Sequence, residues 1–171
     1  MHYFVLVTLL AASALLASAE ESDSEEQNYS FSELVGSRSG TSFRITGEER
    51  LTAVRTWDNG AYIYAIQVRY GGIWSERVGS ETGQMQEILL EDDEAVIQVS
   101  GKYSTYINWL VFVTNKGRSM FTGQPAGTSF NMYPEHQGAE LRFISGTGTG
   151  PLTGFATHWA VYPQESKSEE H

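Results

Sequence analysis

From residue 43 onward, short runs of alternating apolar and polar residues are separated by glycine-containing turns. Alternation with a period of two sends successive side chains to opposite faces of a strand, whereas a helix repeats its apolar positions at three and four residues. No window sustains the helical period. The pattern predicts strands at 51–57, 61–70, 85–90, 95–100, 106–114, 139–145 and 155–162, with shorter ones at 43–46, 73–78, 118–121 and 128–131. These runs are rich in Val, Ile, Tyr, Phe, Trp and Thr, which suit a pleated, half-buried surface. The expected fold class is all-β.

A repeat underlies the strands. Glu49 to Gly71, Glu94 to Gly117 and Glu140 to Pro163 each open on a glutamate, run through one strand, turn, and close on a long aromatic strand. The glutamates are 45 and 46 residues apart. In the closing strands the apolar pairs Ile66/Val68, Leu110/Phe112 and Ala160/Tyr162 are expected to face inward, with Gln67, Val111 and Val161 on the other side. A lone hairpin is marginally stable. Three hairpins with apolar faces can bury them against one another, which gives a prism of three sheets. The turns at Asp58–Gly60, Gly101–Thr105 and Gly146–Gly154 are then expected to emerge at one end.

The ends of the 171-residue chain differ from its middle. Residues 1–19 carry an apolar run, Tyr3 to Leu16, followed by Ala17-Ser18-Ala19. That is the arrangement of a cleaved secretory signal, and the run is short for a bilayer span of about 20 residues. An acidic, disordered segment is expected at 20–32, a folded domain at 33–163 and an acidic tail at 164–171. The net charge of -10 is mostly in those ends, since 13 acids and 10 bases remain in residues 27–163. A core near -3 offers no basic face for nucleic acid. The chain has no cysteine, so it must be held by burial alone. Asn28-Tyr29-Ser30 is a glycosylation acceptor sequence.

With the strands and repeat in place, particular stretches carry a resemblance. They are Gln67-Val68-Arg69-Tyr70-Gly71, Ile73-Trp74-Ser75, residues 96–103 (VIQVSGKY), 110–114 (LVFVT), 127–131 (GTSFN), 141–146 (LRFISG) and His158-Trp159. In that order the sequence resembles the jacalin-related lectins, especially the zymogen granule membrane protein 16 branch, over nearly all of residues 33–163. The resemblance implies a β-prism I, three antiparallel sheets with pseudo-threefold symmetry. It also implies a sugar site built from three loops. These are the glycine-rich 36–41 loop with Gly40, a recognition loop with Lys102, Tyr103, Ser104 and Thr105, and a binding loop from Thr147 to Thr153 with Gly150, Pro151 and Leu152. In the family the binding loop reads Gly, three residues, Asp. Here the Asp position falls on Thr153, and no acid stands between Leu141 and Pro163. A charged hydrogen bond to a sugar hydroxyl is worth about 1.5–3 kcal/mol.

The function expected is therefore a secreted carbohydrate-binding lectin, for mannose-type or other glycans in a mucosal or secretory setting, extracellular or in a granule lumen. Its partners are glycans or glycoproteins, with no membrane span and no nucleic acid. The alternative is a β-prism that has lost the family's usual sugar binding and serves as a protein-interaction or structural module. An enzyme is not expected, since no paired carboxylates, Ser/His/Asp set or metal-ligand spacing is visible, nor is a cofactor. Residues 146–150 (GTGTG) run into a strand and not a helix, which removes a phosphate cradle. Residues 91–94 (EDDE) are expected to be a solvated turn, His158 to be structural, and the four tryptophans to be mostly core, with Trp109 free to be exposed.

Overall fold

The computed structural model describes residues 28–162, and all regular structure within them is β-strand. The strands are β1 Tyr29–Phe31, β2 Val35–Gly36, β3 Thr41–Ile45, β4 Leu51–Asp58, β5 Ile63–Tyr70, β6 Ile73–Trp74 and β7 Val78–Gly79. They continue as β8 Gln84–Leu89, β9 Val96–Tyr103, β10 Ile107–Thr114, β11 Ser119–Gly123, β12 Thr128–Met132, β13 Glu140–Gly148 and β14 Leu152–Ala160. Every long run expected from alternation is a strand. The readings at 1–19 and 164–171, and the acidic stretch 20–27, lie outside the described residues.

Three antiparallel sheets form. Sheet I has the order β6-β5-β4-β8, with β7 also on β5. Sheet II has the order β11-β10-β9-β12. Sheet III has the order β1-β14-β13-β3, with β2 also on β14. Each is built on one long hairpin, β4–β5, β9–β10 or β13–β14, and each hairpin shifts register near both ends. The N-terminal strands complete the sheet that the C-terminal hairpin begins, which closes the prism. The boundary expected at residue 33 is thus corrected. Tyr29–Phe31 pairs with β14, and Ser32 N–H donates to the Thr157 carbonyl at 2.9 Å, so these residues belong to the domain.

The inner faces meet along the prism axis. Ile66, Val68, Leu110, Phe112, Phe155 and Trp159 are fully enclosed. Each such side chain contributes about 1.5–3 kcal/mol by leaving water, which lets a cysteine-free domain hold together. The third unit departs from the expected facing. In β14 the fully enclosed inward positions are Phe155, Thr157 and Trp159, whereas Ala160 is buried at 9% and Tyr162 is only half-buried. All three hairpins carry the same shift at their open end, next to Tyr70, Thr114 and Trp159, so the equivalents of Ile66/Val68 and Leu110/Phe112 in the third unit are Phe155/Thr157. Tyr162 instead reaches back along the surface, its hydroxyl donating to the Glu49 carbonyl at 3.3 Å.

Candidate functional site

The three hairpin turns converge at one end of the prism, tied by contacts between them. The β4–β5 turn is stiffened by its own side chains. Asp58 Oδ1 accepts from Gly60 N–H at 2.8 Å, and Asn59 Oδ1 accepts from the Ala61 and Tyr62 amides at 3.0 and 2.9 Å. Such Asx hydrogen bonds fix tight turns. The Tyr62 ring then packs on Tyr106 of the β9–β10 turn, centroids 4.8 Å apart. Ser37 Oγ, in the β2–β3 loop, donates to the Thr105 carbonyl at 2.9 Å. The same loop is fastened to the β13–β14 hairpin, because Ser37 N–H donates to the Thr153 carbonyl at 2.9 Å and Thr153 Oγ1 donates to the Ser39 carbonyl.

Glycine makes the last junction possible. Gly40 has φ +94°, and a Cβ there would stand 2.1 Å from the Gly148 carbonyl oxygen. Gly36, at φ +101°, would meet the Thr153 carbonyl in the same way. Both conditions exclude a side chain. The loop can thus lie flat against β13 and β14.

The implied site residues separate into groups. Gly40, Ser104, Gly150 and Pro151 share the tip with exposed Ser37, Arg38, Ser39, Thr105 and Thr149. Ser104 Oγ donates to Asn108 Oδ1 at 3.2 Å, and Asn108 is itself buried. Leu152 and Thr153 are inside, at 1% and 0% exposure. Thr153 Oγ1 also lies 2.9 Å from Thr147 Oγ1, so this side chain is a polar clasp beneath the loop. Lys102 and Tyr103 turn away from one another, as neighbours on a strand must. Lys102 Nζ donates to Ser129 Oγ at 2.8 Å on the outer face of sheet II. The Tyr103 ring packs on Phe130 with centroids 6.2 Å apart. The expected turn at Gly146–Gly154 contracts to residues 149–151, because strand pairing runs through Gly148 and resumes at Leu152.

A cavity of about 340 Å³ opens beside the tip, at the seam between sheets III and I. Thr41, Phe43, Gly148 and Gly150 form one wall, and Val78 and Ser80 the other. Sequence reasoning passed over that second wall and the Tyr62–Tyr106 pair. The pair was accessible from the repeat, since both tyrosines stand immediately before the second strand of their hairpins. Among the described residues no group of three or more His, Cys, Asp or Glu could hold a metal ion.

Comparison with known proteins identifies the family of this fold. The jacalin-like lectin domain family matches residues 32–154. The chain belongs to the jacalin-like lectin family. Human zymogen granule membrane protein 16 is 42% identical over 161 residues, covering 92% of this chain and 96% of the relative. A crystal structure of a prostate-specific WGA16 glycoprotein lectin superposes with a TM-score of 0.70 at 29% identity, covering 78% of this chain and all of the other. AcmJRL, a mannose-binding jacalin-related lectin of Ananas comosus, shares the fold with a TM-score of 0.68 at 22% identity, covering 78% of this chain and 99% of that lectin. The three sheets are accordingly a jacalin-like β-prism I. No helix of the described residues is long and apolar enough to cross a membrane.

Proposed function

We propose that this jacalin-like domain is a secreted, non-enzymatic lectin that binds glycans at the tip where its three turns meet. The observation that carries the reading is the cross-bracing of the tip through Tyr62–Tyr106, Ser37–Thr105 and Ser39–Thr153. Pre-ordered turns lose little entropy when a ligand lands on them. The exposed groups there are hydroxyls of Ser37, Ser39, Ser104, Thr105 and Thr149 with the backbone at Gly150. Sugar hydroxyls are both donors and acceptors and match such groups. The secretory setting rests on residues 1–19 and on likeness to zymogen granule membrane protein 16.

Neutral hydrogen bonds are weaker than charged ones, so single sugars should bind weakly and multivalent display should dominate. The test is binding of the purified protein to a glycan array and to mannan. Signal that falls at least threefold in the Ser104→Ala/Thr105→Ala double variant supports the tip. Silence on every multivalent glycan would sink the reading.

One observation favours a second reading, a prism that has lost the family's usual sugar binding and serves in protein contact. It is the burial of Thr153 at the aspartate position. Thr153→Asp separates the two. An acid there faces the Ser39 carbonyl and must push the 36–41 loop outward. Mannan binding gained by the variant and absent from the natural chain would favour the second reading.

A further inference from the structure

The outer face of sheet III carries a hydrogen-bonded chain that neither the core nor the tip uses. Tyr29 Oη lies 2.7 Å from His158 Nδ1, and His158 Nε2 lies 2.9 Å from Ser145 Oγ. Burial holds the Tyr29 phenol above its ordinary range, against the pull of Arg44 and Arg142. Burial pushes the His158 imidazole down, and Arg44 pushes the same way. A neutral imidazole has one N–H, so one ring nitrogen donates to its hydroxyl partner and the other accepts from its own.

Ser145 stands directly opposite Arg44 in the β13–β3 register. Such cross-strand neighbours have Cβ atoms about 4.5–5.5 Å apart. Arg44 is exposed and forms no ion pair with a described residue. The charges that reach Tyr29 and His158 are both positive, Arg44 and Arg142, although the chain as a whole is strongly acidic. On the far side of His158, Phe31 stacks on the imidazole at 6.2 Å and 29° and remains 68% exposed. One face therefore presents a guanidinium, a serine hydroxyl and an uncovered ring. Three strand steps of ~4.8 Å separate β3 from β1, a span suited to a short oligosaccharide.

The geometry points to a second carbohydrate subsite on this face, for a sugar chain bearing a carboxylate. Arg44 and Ser145 receive the acid, and Phe31 covers the apolar face of a neighbouring ring. A guanidinium and a hydroxyl are complementary to a carboxylate, and aromatic rings cover C–H faces. The inference rests on the reading of the protein as a glycan binder and adds a surface separate from the tip.

The test is an NMR shift titration of the full protein with trigalacturonic acid. Its methyl ester is the uncharged control, and mannan reports on the tip. Saturable shifts should cluster at Phe31, Arg44, Ser145 and His158. Affinity should fall at least fivefold for the ester and for Arg44→Ala, and about threefold for Phe31→Ala, both surface changes. Shifts clustered at Ser104, Thr105 and Gly150, or equal binding of acid and ester, would overturn the subsite and leave the tip standing. Acid binding here with no mannan or other glycan at the tip would overturn the tip alone. No acid binding overturns the subsite.

Discussion

Thr153 shows how one residue changes the character of the tip. Its hydroxyl donates to the Ser39 carbonyl and sits beside Thr147 Oγ1, with no surface exposed. Thr153→Val keeps the shape and removes the donor. The Ser39 carbonyl then loses its partner, at a cost of about 1–2 kcal/mol. Denaturant unfolding should show that loss, and amide exchange should quicken at residues 37–41 and not in the β9–β10 hairpin. Gly40→Ala tests the same junction from the other side. Its Cβ would meet a backbone oxygen at 2.1 Å in a left-handed conformation, so a loss of ~1–3 kcal/mol is expected. A variant as stable as the parent would mean that the loop does not lie on β13. The family resemblance implies an aspartate position at Thr153, but the burial of that residue was not legible in the sequence. Residues 146–154 (GTGTGPLTG) read as a long loop because their composition is that of a turn, whereas packing of Phe43 over Gly146 and of Leu34 beside Gly154 keeps them in strands.

At the scale of elements, the repeat was legible because it is a pattern of faces, and each long hairpin lies where alternation put it. Less legible was what the opening glutamates do. The run 91–94 reads as solvated, and Glu91, Asp92 and Asp93 are exposed, but Glu94 is buried at 3%. It accepts from Glu91 N–H at 2.8 Å, Thr114 Oγ1 at 2.6 Å and Arg118 at 2.7 Å. Glu140, its counterpart in the third unit, is buried against Arg50 with contacts of 2.7 and 2.6 Å. The partners lie 24 and 90 residues away, beyond the reach of a local pattern. Burial alone would raise the Glu94 carboxyl, but its three hydrogen-bond donors outweigh that and hold it below the usual carboxylate value. A depressed folded value means stabilisation that is complete above the unfolded pKa of about 4.3. It is lost as pH falls through the lower folded value. Stability measured from pH 7 to 3 should therefore drop below about pH 4.3, and Glu94→Gln should flatten that drop while costing about 1–3 kcal/mol at neutral pH. An unchanged acid limb would show that Glu94 is not the group responsible.

For the whole molecule, closure of the prism depends on the first described strands pairing with the last. The β14 strand, which carries core Phe155 and Trp159, has β13 on one side and the short β1 and β2 on the other. Remove those two and β14 becomes a sheet edge with unpaired amides and carbonyls, a state that invites aggregation. Specific bonds would go with them: Ser32 N–H to the Thr157 carbonyl at 2.9 Å, Thr157 N–H to Ser32 Oγ at 2.9 Å, and Val161 N–H to the Asn28 carbonyl at 2.9 Å. No disulfide can compensate in a chain without cysteine. Two truncations should accordingly behave differently. A chain starting at Asn28 should melt within about 2 °C of the longer one, because every described contact is kept. A chain starting at Gly36 loses β1 and half of β2, and with several hydrogen bonds worth ~1 kcal/mol each, its Tm should fall by more than about 10 °C for a domain of this size. Equal melting of the two would mean that the C-terminal hairpin is stable without its N-terminal cover, and that the threefold prism is not closed by that pairing.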